Sequence, residues 1–397
     1  MAIRIAPLHE ELVHVGLSAP EQAVERWQQL GSTLDVAHLE DRRALKLLPL
    51  VWRTLVAADV DDAQLPALET IVQRTRRDNA VLFEQVRSAL AVLDTAGIPV
   101  MGLKGVPRVA TVYRDPGVRP MSDADLLVCP GDALQALEVL RSAGWRMVGE
   151  HAPDVSGRNE KAFRAPGHDS VVDLHWRMEP WVTGTPDRDD ALWAEASPVD
   201  VGGRSMLAPA PHDLALHIIL HAFRSEWERV VRWIPDLVLL LRTAGDSLDW
   251  DAFTRRAVTG RVTPQVREAF EYVQTSFAAP IPQSVMNELC SVRTTRRQAH
   301  KERIASRRTF GRHWLYGEWT ELRTSWARIS VNQTRRQARR TFPAFLRART
   351  RVSHLSTLPF VVVARRISRE SACNDEEGPP PTSAGGGERV DGASERL

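Results

Sequence analysis

RPMSDADLLV, residues 119–128, places two carboxylates, Asp123 and Asp125, at the mouth of an apolar run. The run Ala124 to Val128 reads as a strand, in which residues i and i+2 point to the same face. Asp123 and Asp125 can then present their carboxylates side by side toward one point. Hard oxygens in that arrangement suit a divalent cation, most often one that also holds phosphates.

A third acid lies further along, in SVVDLHW at 170–176. Asp173 is flanked by Val171, Val172 and Leu174, and a charge in such a strand needs a partner. A cation shared with Asp123 and Asp125 would serve, and so would an arginine such as Arg119 or Arg177. His175, two residues on, falls on the face of Asp173. It is a candidate to orient that acid or to touch substrate.

Upstream lies LKG at 103–105, followed by a short helical stretch from Val106 to Tyr113. Glycine at a strand-to-helix turn lets backbone approach a ligand closely, and the N–H groups behind it favour phosphate. Lys104 adds a positive charge beside that turn.

Around these motifs the texture of the chain changes twice. The first 95 or so residues read as helical. SAPE at 18–21 resembles a capping box with Ser18 as N-cap. Leu68, Val72, Leu82, Val86, Leu90 and Leu93 follow helical spacing up to Ala96-Gly97. Between Ile98 and Pro180 come short β-like runs: IPVMGL, ADLLV, WRMVG, KAFRA and SVVDLHW. Turn chemistry at Asp115-Pro116-Gly117, Pro130-Gly131 and Pro166-Gly167 separates them, with a second helical stretch at Asp132–Ala143. Helices return with HDLALHIILHAF and IPDLVLLLRTA. A further amphipathic helix is predicted at 313–330. The segment 291–351 holds 17 Arg/Lys against three Glu, and the Pro/Gly/Ser-rich acidic end predicts a disordered tail.

Together LKG, R-P-M-S-D-A-D-L-L-V and V-D-L-H-W resemble an uncharacterised bacterial nucleotidyltransferase family of the DNA-polymerase-beta-like nucleotidyltransferase superfamily. The resemblance covers roughly residues 60–240. Lys-Gly stands where many superfamily members have Gly-Ser closer to the acids, so the grip on the triphosphate is less defined than the metal site. The resemblance implies an α+β fold, with a small mixed-sheet core flanked by N-terminal and C-terminal helical regions. We divide the chain into a helical region (1–96), the nucleotidyltransferase core (97–208), a helical domain on that core (209–290), an arginine-rich helical region (291–368) and the tail (369–397).

The resemblance also implies chemistry. Asp123, Asp125 and Asp173 would hold two magnesium ions and act as the catalytic acids. Lys104, the N–H of Gly105 and Arg119 would contact phosphate. The nucleotide would be ATP and the group moved AMP, with an unidentified small-molecule, peptide or protein hydroxyl as acceptor. RNA nucleotidyl transfer, or a non-catalytic nucleotide-binding regulatory module, are the alternatives.

Other features carry less. His217 and His221 share a helix face at i, i+4. Packing between helices is the stronger reading, and His217 is kept as a nucleotide-wall candidate. Asp236, with Pro235 in the first turn, reads as a helix-start residue, with a site residue as the weaker reading. The arginine-rich segment interleaves Trp314, Tyr316, Trp319 and Trp326, but nucleic-acid binding there is the weaker reading beside core packing. Cys129, Cys290 and Cys373 form no zinc or disulfide pattern. No run has the roughly 18 apolar residues of a spanning helix, and the opening residues lack a secretion signal's pattern. The expectation is a cytoplasmic protein with no stable membrane insertion. Oligomeric state is not legible.

Overall fold

The computed structural model describes residues 5–31, 33–148, 160–178, 186–224 and 231–292, with Ile3, Phe342 and Pro343. The expected helix at 313–330, nearly all of the arginine-rich region and the expected disordered tail lie outside the described residues.

Five helices precede the first strand: α1 (Pro7–Leu17), α2 (Pro20–Gly31), α3 (Arg42–Leu45), α4 (Leu48–Ala57) and α5 (Leu65–Thr95). Ser18 closes α1, donating its N–H to the His14 carbonyl, and α2 begins at Pro20. Ala23 N–H bonds the Ala19 carbonyl, so α2 starts from Ala19 and the expected capping box at Ser18 is corrected. The apolar positions predicted for α5 are all buried, and the helix ends where Gly97 adopts φ 68°. Gly97 N–H bonds Asp94 O, and Ile98 N–H bonds Leu93 O.

The sheet then forms from β1 (Met101–Leu103), β2 (Asp123–Leu127), β3 (Arg146–Met147), β4 (Glu160–Arg164), β5 (Val171–His175), β6 (Ser197–Asp200) and β7 (Ser205–Ala208). Its order is β3-β4-β5-β2-β1-β7-β6. β2 runs parallel to β5 and β1 parallel to β7, while the remaining neighbours are antiparallel, so the sheet is mixed. Between β1 and β2, α6 (Gly105–Arg108) passes into a wider π turn at Val109–Tyr113. α7 (Ala133–Ser142) and α8 (Pro186–Ala194) lie within the β region, followed by α9 (Pro211–Arg224), α10 (Trp233–Ala244), α11 (Trp250–Gly260), α12 (Thr263–Phe277) and α13 (Gln283–Ser291). The β6–β7 hairpin turns at Gly202-Gly203, both at positive φ. It was not among the strands read from sequence.

Alternation along the central strands sorts side chains into two cores. Ala124, Leu126 and Val128 of the β2 run join Val172, Leu174 and Trp176 in a cluster with Leu82, Val86 and Leu90 of α5 and Leu137 and Leu140 of α7. Met101, Leu103 and Leu127 face the other way. They join a second cluster with Leu214 and Ile218 of α9, Leu237 and Leu241 of α10, and the N-terminal helices. Arg242 ties these helical parts together, donating to Leu17 O at 2.7 Å and Phe277 O at 2.9 Å. The acids of β2 and β5 lie on this second face, toward α9 and α10.

Candidate active site

The parallel register sets Asp125 opposite Asp173, Asp123 opposite Val171 and Leu127 opposite His175. Because side chains alternate, Asp123, Asp125, Asp173 and His175 share one face. Potential ligand atoms of Asp125, Asp173 and His175 all lie within 4.8 Å of one another. Asp123 sits on the same face outside that trio, with Ser122 Oγ 3.3 Å from its Oδ1. The trio from sequence was Asp123, Asp125 and Asp173; the tightest grouping takes His175 in place of Asp123.

Asp125 is 1% exposed, and its Oδ1 accepts from Lys104 Nζ at 2.5 Å and from His175 Nε2 at 2.8 Å. Burial works against its charge, but the His175 bond and the Lys104 ammonium hold its carboxyl far below the usual carboxylate range. Lys104 and His175 are both raised: burial opposes their charge, and Asp125 outweighs it. His175 Nδ1 is also 3.2 Å from Glu160 Oε2, across the β4–β5 pair. Asp173 behaves oppositely. Burial, then repulsion from Asp125 and Asp123, pushes it up to about 6, with His175 acting the other way. Carboxylates crowded without enough cation charge are what a divalent ion relieves, so the donor set fits a hard cation.

Lys104 carries backbone strain. Its φ of 47° and ψ of −110° lie outside the regions L residues favour. The conformation turns β1 into α6 and leaves Gly105 in a tight place. A Cβ on Gly105 would come within 2.6 Å of Met121 S and 2.8 Å of Arg119 Nη1.

Arg119, expected to contact phosphate, spends two of its nitrogens elsewhere. Nε and Nη2 bond Asp236 Oδ1 and Oδ2 at 2.7 and 2.8 Å. Asp236 also accepts from Tyr113 OH at 2.8 Å and from Arg108 Nη1. It lies in the first turn of α10, as the helix-start reading expected, and its carboxylate reaches across to these three side chains. Burial opposes the charge on Asp236, but Arg108 and Arg119 hold its carboxyl far below the ordinary value. Arg119 Nη1 alone is turned to the Gly105 turn.

Sequence reading missed Asn79 of α5. Its buried amide donates to Pro116 O at 2.6 Å and Arg119 O at 2.8 Å, and accepts from Met121 N–H at 3.1 Å. Arg76 pairs with both oxygens of Asp115 at 3.1 Å, and Asp115 Oδ1 accepts from Gly117 N–H at 2.7 Å. The loop before Asp123 is therefore held from α5 and α10 at once. Asn79 in RRDNAVLF looks like any polar helix position; only its i+3, i+7 relation to Leu82 and Val86 hints that it faces inward.

His217 is buried on α9, its ring edge-on to His221 with centroids 6.2 Å apart. It is not one of the three grouped residues Asp125, Asp173 and His175. A second acidic group, Glu195, His212 and Asp213, already has its cation: Arg256 pairs with Glu195 at 2.8 Å and with Asp213.

The family model for uncharacterised nucleotidyltransferases matches residues 39–278, well over half of the chain. The chain belongs to this family. This nucleotidyltransferase is also similar in structure to the antibiotic-resistance factor ANT(2'')-Ia, at 14% identity and TM-score 0.33, covering 50% of this chain and 98% of that one. A nucleotidyltransferase-like protein from Paracoccidioides brasiliensis is similar at 17% identity and TM-score 0.35, covering 53% and 96%. No curated protein matches it. Among the described residues, no helix of this nucleotidyltransferase is long and apolar enough to cross a membrane.

Proposed function

We propose that this nucleotidyltransferase moves AMP from ATP to a hydroxyl of a small molecule, peptide or protein. The observation that carries this is the parallel β2–β5 register, which sets Asp125 beside Asp173 with Asp123 on the same face. Magnesium, bound by Asp123, Asp125 and Asp173 with His175 at its edge, would supply charge for the triphosphate and acidify the acceptor hydroxyl.

The side chains divide the remaining work. The acceptor oxygen forms a bond to the α-phosphorus as the α–β bridging bond breaks and pyrophosphate leaves with the electron pair. Asp173, whose carboxyl is the more basic, takes the hydroxyl proton. Asp125 stays ionised, fixed by Lys104 and His175. Lys104, beside Asp125, with the Gly105 N–H and Arg119 Nη1 at the β1–α6 turn, would neutralise charge growing on the leaving pyrophosphate.

The test is direct. Purified protein with magnesium and each of four α-labelled nucleoside triphosphates, given hydroxyl acceptors, should release pyrophosphate and label acceptor from ATP. Asp125→Asn should abolish both. Nucleotide binding unchanged in the double variant Asp123→Asn/Asp125→Asn would sink the site, and labelling of RNA would move the acceptor to nucleic acid.

A further inference from the structure

Charge near the Gly105 turn does not balance. Arg108, Arg119 and Arg232 gather around one carboxylate, Asp236. Its two oxygens accept from Arg108 Nη1, Tyr113 OH, Arg119 Nε and Arg119 Nη2, which fills a carboxylate's roughly four lone-pair sites. Arg232, just before α10, acts on that acid through space and hydrogen-bonds elsewhere. Its Nη1 donates to the neutral carbonyl of Pro120, and among the described residues no carboxylate pairs with it.

Like charges in a partly desolvated place repel strongly, and an anion placed among them relieves that repulsion. Burial, then the neighbouring Arg119, pushes the Arg232 guanidinium down to about 10, still cationic at neutral pH; Asp123 is among the acids that act on it. Pro120 lies three residues before Asp123, so Arg232 is fixed to the loop that carries the catalytic acids. Arg119 Nη1, in the same cluster, lies against the Gly105 turn. The geometry leaves one guanidinium with spare donors on the loop before Asp123 and a second with a spare nitrogen against the Gly105 turn.

We propose that Arg232 is a second phosphate-binding guanidinium, contributed by the helical region, which with Arg119 grips the polyphosphate of the nucleotide. This rests on the nucleotidyl-transfer reading and extends it to a residue outside the sheet core.

The experiment uses the full chain. Calorimetric titration with MgATP and with inorganic tripolyphosphate is compared for wild type and Arg232→Gln, with melting curves recorded for both. The expected result is a tenfold or greater loss of affinity for both ligands at an unchanged melting temperature. Equal affinities in the two proteins would overturn the proposal while leaving nucleotidyl transfer intact. If Arg232→Gln melts early, phenylglyoxal labelling of the wild type, read by peptide mass spectrometry, decides. Saturating tripolyphosphate should slow labelling of Arg232 several-fold, and an unchanged rate would overturn the assignment. Protection by tripolyphosphate without binding of any nucleoside triphosphate would instead overturn the nucleotidyl-transfer reading and retain the anion site.

Discussion

Asp173 shows what one side chain contributes at the expense of the fold. Its carboxyl is pushed up to about 6 by burial and by Asp125 and Asp123. A group raised this way binds a proton more tightly folded than unfolded, so stability falls as pH rises from about 4 to beyond 6. In chelator at pH 7.5, Asp173→Asn should therefore melt a few degrees higher than wild type while losing transferase activity. Magnesium should raise the melting temperature of wild type and leave the variant unmoved. Protons compete for the same carboxylate, so wild-type affinity for magnesium should weaken as pH drops through about 6, by calorimetry. Gly105 sets a steric condition at the same scale. Gly105→Ala forces Met121 and the pinned Arg119 aside; it should cost about 1–3 kcal/mol in a urea melt and raise KM for ATP more than it lowers kcat. Asp123, Asp125 and Asp173 stand out in the sequence because acids interrupt apolar alternation, and the parallel register that sets Asp125 opposite Asp173 does not. Arg232 and Asn79 do not stand out either, since a polar residue near or within a helix looks the same whether it faces water or clamps a loop.

At the scale of elements, the loop before β2 is the part most dependent on distant partners. Asn79 of α5 satisfies two carbonyls and one N–H there. Asn79→Ala leaves buried polar groups unpaired, and we expect about 3 kcal/mol of destabilisation by denaturant titration. Asp236 of α10 binds from the other side. Asp236→Asn removes the charge that offsets buried guanidiniums, with an expected loss of about 3–5 kcal/mol. Since Asp236 is held below its unfolded value, its contribution is present above about pH 4 and is lost as pH falls further. The stability gap between wild type and this variant should close in acid. Strands β1 to β5 were readable from alternation and turn residues. The β6–β7 hairpin was not singled out, although Gly202-Gly203 between SPVDV and RSMLA is a hairpin signal. Nor does alternation reveal that β2 pairs with β5 in parallel, because pairing depends on the crossover between them.

For the whole molecule, the described members of the two apolar clusters run from the N-terminal helices to Leu289. A chain ending at 292 should melt cooperatively and bind MgATP as the full chain does. RNA retention lost on that truncation and at moderate salt would make the arginine-rich segment the holder of a nucleic-acid acceptor. Composition pointed to a folded chain with a helical start and an α+β middle, and both are present. What composition hides is that helices from the two ends of the described chain share one core, a relation set by packing alone. The bonds from Asp236 to Arg108 and Arg119 span 128 and 117 residues. Synthesis proceeds from the N-terminus at about 5–20 residues per second. The sheet's acids thus leave the ribosome many seconds before α10, and a nascent chain holds their loop from α5 alone. The second half of the clamp forms only when α10 arrives, so the order of the chain itself times completion of the site.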